Sequence, residues 1–175
     1  MNNKSTVENY LDYVYKDKGL SRNTLLAYQR DLKFFTKDLS ENQISRQIIV
    51  RYLSNLSLQG RKPSTVARNL ASLKGWFSWQ KDSGFIVDDP CQSVQGPQKA
   101  KYLPQVLSVL EIDSLLNASS NLRERLIIEL LYGAGLRVSE LVNLNWSDIN
   151  LSQGNIKCFG KGSKERIVPI GKQAY

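Results

Sequence analysis

Ile149-Asn150-Leu151-Ser152-Gln153-Gly154-Asn155-Ile156-Lys157-Cys158-Phe159-Gly160-Lys161-Gly162-Ser163-Lys164-Glu165-Arg166-Ile167-Val168-Pro169-Ile170 runs with a period of two. Alternation of that kind sends successive side chains to opposite faces of an extended chain, so it predicts short strands. Gln153-Gly154-Asn155 and the span from Gly160 to Lys164 read as turns, which makes the segment a small antiparallel meander. Upstream of Ile149 the apolar period is helical. The chain is therefore expected to be mainly α with a small β meander.

Working back from the meander, Leu141 and Leu144 follow Arg137 and Glu140 on a helix that opens after the turn Tyr132-Gly133-Ala134-Gly135-Leu136. Leu136, Val138 and Leu141 are expected to be buried around Arg137. Leu122 to Leu131 reads as a core helix through Leu126, Ile127, Leu130 and Leu131. Ser108-Val109-Leu110-Glu111 has the form of a capping box and opens a helix carrying Ile112, Leu115 and Leu116.

The stretch 88–107 has a different character. Asp88-Asp89-Pro90, Gly96-Pro97 and Leu103-Pro104 place three prolines within fifteen residues, which stiffens the chain and suppresses helix. It reads as a linker between residues 1–87 and residues 108–175.

Residues 1–87 read as a four-helix bundle. Ser5-Thr6-Val7-Glu8 has the capping-box form, with Val7, Tyr10, Leu11 and Val14 on one face. A second helix starts after Ser21, with Leu25, Tyr28, Leu32 and Phe35 inward and Arg22, Arg30, Lys33 and Lys37 outward. Ile44 to Leu58 gives a third. Ser64 is expected to cap a fourth that carries Val66, Leu70, Leu73 and Phe77 and stops near Gly84.

Lys and Arg outnumber Asp and Glu 24 to 16, a net charge of +8. Residues 1–95 carry 14 basic and 9 acidic side chains, and residues 96–175 carry 10 and 7, so both halves are basic. Such an excess points to a polyanionic partner, although a solvated basic surface gives the same count. No apolar run approaches the roughly 18 residues of a membrane helix, and residues 1–20 lack a signal-peptide core. A cytoplasmic location is expected. Cys91 and Cys158 have no neighbouring thiol or imidazole, so they read as small core residues. Histidine is absent, which excludes Ser-His, Cys-His and His-metal chemistry within these residues.

Candidate chemistry therefore rests on other side chains. Arg137, one residue past a glycine turn at the head of a helix, can aim its guanidinium fork at a phosphate. It can equally pair with Glu140, three residues on. Lys161, in Gly160-Lys161-Gly162 at a hairpin tip, is free to reach an oxygen leaving group or simply to sit in solvent. A nucleotide-binding loop is ruled out, because Gly154 to Gly160 leaves five intervening residues and glycine follows the lysine. Arg61, Lys62, Arg68 and Lys74, with Ser64 and Thr65, can line a groove of DNA. Trp76 and Trp79 beside them read as packing residues.

These signals occur together in a known order. Gly135-Leu136-Arg137-Val138-Ser139-Glu140-Leu141, Leu144, Trp146-Ser147-Asp148-Ile149 and Gly160-Lys161-Gly162-Ser163-Lys164-Glu165-Arg166-Ile167-Val168-Pro169-Ile170 resemble the tyrosine recombinase (phage integrase) family. The separation of Arg137 from Lys161 fits as well. Leu20-Ser21-Arg22-Asn23-Thr24, Tyr28, Asp31, Leu32, Ser64-Thr65-Val66-Ala67-Arg68 and Asp89-Pro90 are similar to the family's core-binding domain, and the Xer-type branch is the nearest in pattern.

The resemblance implies a SAM-like N-terminal bundle followed by the first part of an α+β catalytic domain. It implies site-specific DNA recombination, with strands cut and rejoined through a 3′-phosphotyrosyl intermediate and with neither metal nor nucleotide cofactor. Arg137 matches the family's first active-site arginine, Lys161 the hairpin lysine that protonates the 5′-oxygen, and Glu140 an acidic residue that orients the site. Arg22, Asn23, Arg61, Lys62, Ser64, Arg68, Lys74, Lys101, Lys164 and Arg166 are the expected DNA contacts. Expected partners are a duplex recombination site, four protomers on two duplexes, a second Xer recombinase and a DNA translocase, in chromosome-dimer resolution at cell division. The family's His-x-x-Arg motif, its second His or Trp position and its nucleophile find no match here. Tyr175 follows the hairpin directly and is expected to pack rather than attack. The 175 residues are thus expected to be a truncated N-terminal part, inactive alone. A naturally short DNA-binding regulator and a mobile-element integrase are the alternatives.

Overall fold

Apolar residues at helical spacing give the N-terminal half four helices: α1 (Asn3–Lys16), α2 (Arg22–Lys37), α3 (Arg46–Leu58) and α4 (Pro63–Asp82). The computed structural model describes residues 3–37, 39, 44–97, 105–160 and 165–171, and the chain divides into two compact units, Met1–Tyr102 and Leu103–Tyr175. In the first unit α4 is the central element. Its Val66, Leu70, Leu73, Trp76 and Phe77 are buried against Val7, Tyr10, Leu11 and Val14 of α1, Leu32 and Phe35 of α2, and Ile49, Leu53 and Leu56 of α3. Trp76, Leu32, Ile49 and Leu73 are wholly enclosed; each such burial stabilises the fold by about 2 kcal/mol relative to exposure. Trp79 is half-buried against Tyr10, Tyr13 and Phe85, so both expected packing tryptophans pack.

Two expected helix starts are corrected. α1 begins at Asn3, so Ser5 lies inside the helix. Thr6 and Val7, which follow it, are both buried. α4 begins at Pro63 with Lys62 flanking it, and Ser64 is already helical. Proline suits the first helical position, where its missing N–H costs nothing and its φ is pre-set. Gly75, in the middle of α4, faces Tyr10, and a Cβ there would run into the Tyr10 hydroxyl.

Polar groups tie α2, α3 and α4 together inside this core. Arg68 Nε and Nη2 donate to the two carboxylate oxygens of Asp31, both at 2.9 Å. The Tyr52 hydroxyl donates to Asn69 Oδ1 at 2.7 Å, Asn69 Nδ2 donates to the Thr65 carbonyl, and Ser72 donates to the Asn69 carbonyl. Asp31, Asn69 and Ser72 are all buried. The segment after α4 returns to the core as well. Asp89 accepts the Cys91 N–H at 2.7 Å, and Cys91 and Val94 are buried in the first unit. The proline-rich stretch read as a linker therefore contributes two residues to the bundle.

The second unit contains α5 (Val109–Ala118), α6 (Leu122–Tyr132), the short α7 (Val138–Val142) and a 3-10 turn at Trp146–Asp148. It also holds an antiparallel sheet, β1 (Ile149–Asn150), β2 (Asn155–Phe159) and β3 (Glu165–Pro169), in the order β1-β2-β3. The expected meander is present. Its β2–β3 register runs from Asn155 opposite Pro169 to Phe159 opposite Glu165. The expected cap of α5 is also present: Ser108 Oγ accepts the Glu111 N–H, and Glu111 accepts the Ser108 N–H. Leu130, Ala134, Leu136, Ile156 and Cys158 form the small core, with Leu141, Leu144, Ile149, Val168 and Ile170 around it.

The reading of α6 as a core helix is corrected. Leu130 is its one buried residue, Leu131 is half-buried, and Leu122, Leu126 and Ile127 reach solvent. The described elements that pack on α6 meet it at its C-terminal end, which leaves the first two turns open. Val138 is exposed too, against expectation, while Leu136 is buried and Leu141 half-buried.

Candidate active site

A glycine turn delivers Arg137 to its position. Gly135 has φ +62°, a left-handed conformation open to glycine at little cost. The turn lets Leu136 enter the core, and its N–H donates to the Leu130 carbonyl. Arg137 comes next, extended at φ −75° and ψ 150°, at the mouth of α7. Its side chain stays 64% exposed although its neighbour is a core residue.

Glu140, one turn into α7, organises the cluster. Its side chain is 4% exposed, and both oxygens are used. Oε2 accepts the Arg137 backbone N–H at 2.7 Å, and Oε1 accepts Arg137 Nη1 at 2.8 Å. Oε2 also accepts Arg166 Nη2, from β3, at 2.7 Å. The same Arg166 nitrogen donates to the Gly135 carbonyl at 3.2 Å. Glu140 is held below the usual carboxylate range, chiefly by the Arg137 backbone N–H. Burial works against this, and the Arg137 side chain and the Arg166 charge add to it. Burial first, and then the Glu140 charge, raise the neighbouring Cys158 thiol.

The two sequence alternatives for Arg137 are therefore compatible. One guanidinium nitrogen holds Glu140, and among the described residues nothing else bonds to its guanidinium. A planar fork held at one corner and open at the others can donate two hydrogen bonds to an oxyanion. Lys161 and Lys164 fall between β2 and β3 in the sequence; they, Lys101 and Tyr175 all lie outside the described residues. Across the ends of those strands Lys157 pairs with Glu165 at 2.8 Å.

In the first unit, Arg22 and Asn23 are exposed at the start of α2. Arg61, Lys62 and Ser64 are exposed at the entry to α4, and Lys74 is exposed at its middle. A cleft of about 220 Å³ there is lined by Arg30, Asp31, Phe34, Arg61, Thr65 and Arg68, among others. Three guanidinium groups against one carboxylate make it cationic. Arg68, expected to face DNA, has its fork closed on Asp31, and Arg166 has an internal partner in Glu140. Tyr52 and Asn69 were not anticipated; nothing local in sequence marks a hydrogen bond between residues 17 apart.

Comparison with known proteins adds a family to this geometry. Residues 105–175 match the model of the phage integrase family, and residues 7–84 match its N-terminal SAM-like domain. Tyrosine recombinase XerD of Listeria monocytogenes serovar 1/2a is 38% identical over 96% of this chain and 61% of its own length. The Pseudomonas aeruginosa XerD is 40% identical over 96% of this chain and 60% of its own. The chain thus spans about three fifths of the curated relatives it matches. Among solved structures, a lambda integrase(75-356) dimer bound to a COC' core site superposes with a TM-score of 0.76 at 23% identity. That match covers 97% of this chain and 62% of the other, a likeness of fold. No helix among the described residues is long and apolar enough to cross a membrane.

Proposed function

Because the chain belongs to the phage integrase family of tyrosine recombinases, in its Xer-type branch, we propose that it is part of an enzyme that recombines duplex DNA at specific sites. The carrying observation is Arg137, exposed yet anchored by a buried Glu140, at the family's separation from Lys161.

In the proposed reaction a tyrosine oxygen attacks the scissile phosphorus. The P–O5′ bond breaks as a 3′-phosphotyrosyl bond forms, so the link that rejoins the strand is conserved. Arg137 holds the non-bridging oxygens and stabilises the charge that builds on them. Lys161 gives its proton to the departing 5′-oxygen. Glu140 keeps the Arg137 fork in orientation. The attacking tyrosine is not among these 175 residues, and Tyr175 does not serve. The reaction needs neither metal nor nucleotide.

Arg22, Asn23, Arg61, Lys62, Ser64, Lys74, Lys101 and Lys164 are the proposed phosphate and groove contacts. Arg68 and Arg166, expected among the contacts as well, hold Asp31 and Glu140 with their guanidinium groups. The domains implied are 1–87, with Cys91 and Val94 joined to it, and a catalytic part from about residue 108 onward. The proposed setting is the cytoplasm, with chromosome-dimer resolution as the event. Four protomers would act on two duplexes, with a second Xer recombinase and a DNA translocase as partners.

The test uses a nicked duplex that traps the covalent intermediate. Protein expressed from the complete open reading frame containing these residues should form the adduct, and Arg137→Ala should slow it about 10²–10³-fold. The 175 residues alone should shift the duplex in a salt-dependent way and form no adduct. An adduct on Tyr175, or an Arg137→Ala variant of undiminished rate, overturns the assignment.

A further inference from the structure

Glu140 poses an electrostatic difficulty that Arg166 resolves. A carboxylate 2.8 Å from the Arg137 guanidinium anchors it and at the same time cancels much of its pull on any other anion. Two groups of opposite charge sum to zero, and a neutral pair has little to offer a phosphate. Arg166 changes that sum. Its Nη2 is 2.7 Å from the other Glu140 oxygen, so the cluster of Arg137, Glu140 and Arg166 carries +1.

We propose that Arg166 is a positioning residue for the active-site arginine: by satisfying Glu140 it leaves the Arg137 charge available to the phosphate. The geometry is suited to this. Arg166 Nη2 touches the Gly135 carbonyl before Arg137 and the Glu140 carboxylate after it, bracketing the loop from both sides. Arg166 is paired in register with the buried Cys158, so its stem leaves the sheet on the core side. It is also the second residue of β3, with Glu165 alone between it and the segment that contains Lys161 in the sequence. One side chain thus ties the strand that follows the lysine to the loop that presents the arginine. Glu140 alone cannot do this, since its other partners are both on Arg137.

The inference rests on the recombinase reading, and its test separates the two. Arg166→Gln removes the charge while keeping an N–H donor. Arg166→Lys keeps the charge and gives up the fork. In the complete protein, Arg166→Gln should slow covalent trapping about 30-fold and Arg166→Lys should recover to within about fivefold of wild type. On a substrate whose scissile phosphate is replaced by a neutral methylphosphonate, wild type and Arg166→Gln should agree within about threefold, because no phosphate charge remains to be held. An equal loss on both substrates means Arg166 only supports the fold, and Arg166→Lys as slow as Arg166→Gln removes the role of charge; either overturns the proposal. If wild type forms no adduct, the recombinase reading fails, and the inference is then judged on the 175 residues by titration with inorganic phosphate. Followed at the Arg137 Nε–H resonance, Arg166→Gln should weaken phosphate binding about fivefold while Arg166→Lys does not. Equal affinity in all three proteins sinks it. Thermal melts confirm that each variant is folded.

Discussion

Arg68 separates two accounts of the basic face, and replacing it should change stability far more than DNA binding. Its guanidinium makes two 2.9 Å bonds to Asp31, whose side chain is 6% exposed, while Arg68 itself is 45% exposed. Stripping one partner from a fully buried ion pair costs about 3–5 kcal/mol. The half-open arginine lets water and ions screen the pair, which brings the expected cost of Arg68→Gln to about 2 kcal/mol. For a domain of roughly 100 residues, each kcal/mol moves the midpoint by about 4–8 °C, so the melt should fall by about 8–16 °C. Asp31→Asn should do the same, and the double variant should lose little more than either alone, since the sites are coupled. The companion assay is duplex binding as a function of salt, below the midpoints of all the variants. A side chain bonded to phosphate contributes about 0.9 to the log–log slope. Arg68→Gln should leave the slope unchanged, whereas Arg61→Gln, exposed on the same cleft, should lower it by about 1. An Arg68→Gln protein with an unmoved midpoint and a reduced slope refutes the internal clamp.

Two further outcomes follow from the core and the site. Gly75→Ala should destabilise the first unit by about 1–3 kcal/mol through overpacking against the Tyr10 hydroxyl, and Tyr10→Phe should relieve part of that loss in a chemical-denaturation cycle. Glu140 has a folded-state pKa lowered chiefly by the Arg137 backbone N–H, so its stabilisation is complete above the unfolded-state value and is lost as pH falls through the folded one. The midpoint difference between wild type and Glu140→Gln should be widest near neutral pH and close under acid conditions; a difference independent of pH contradicts this assignment.

What could be read in the sequence was what is local. The period of two from Ile149 onward yields the sheet, and Ser108 with Glu111 yields a real cap, because both depend on residues within a few positions of each other. Ser5 and Ser64 have the same local form and fail as caps. At Ser5 the helix already runs from Asn3, and at Ser64 Pro63 already occupies the first position. The clamps were illegible for the opposite reason. Asp31 and Arg68 are 37 residues apart and Glu140 and Arg166 are 26 apart, so neither pairing shows in a local pattern, and both arginines were expected only as DNA contacts. Cys91 and Cys158 were legible as small core residues and both are buried, whereas Val94 was hidden among prolines, where composition speaks of stiffness and not of an apolar peg. Arg137 was legible as a candidate through its glycine turn, but the burial that makes Glu140 its anchor appears only when β3 is laid beside α7.

The β2–β3 pairing has a consequence for variation within the hairpin. Register is set from Asn155 opposite Pro169 to Phe159 opposite Glu165, and Arg166 is gripped inside that paired region. Substitution at the exposed Ile167 should leave that alignment intact. Shifting β3 by a single position, however, would turn Arg166 outward and Ile167 inward. Tolerance should therefore differ in kind within β3: its outward positions can change residue, while the attachment of Arg166 to Glu140 is fixed by parity.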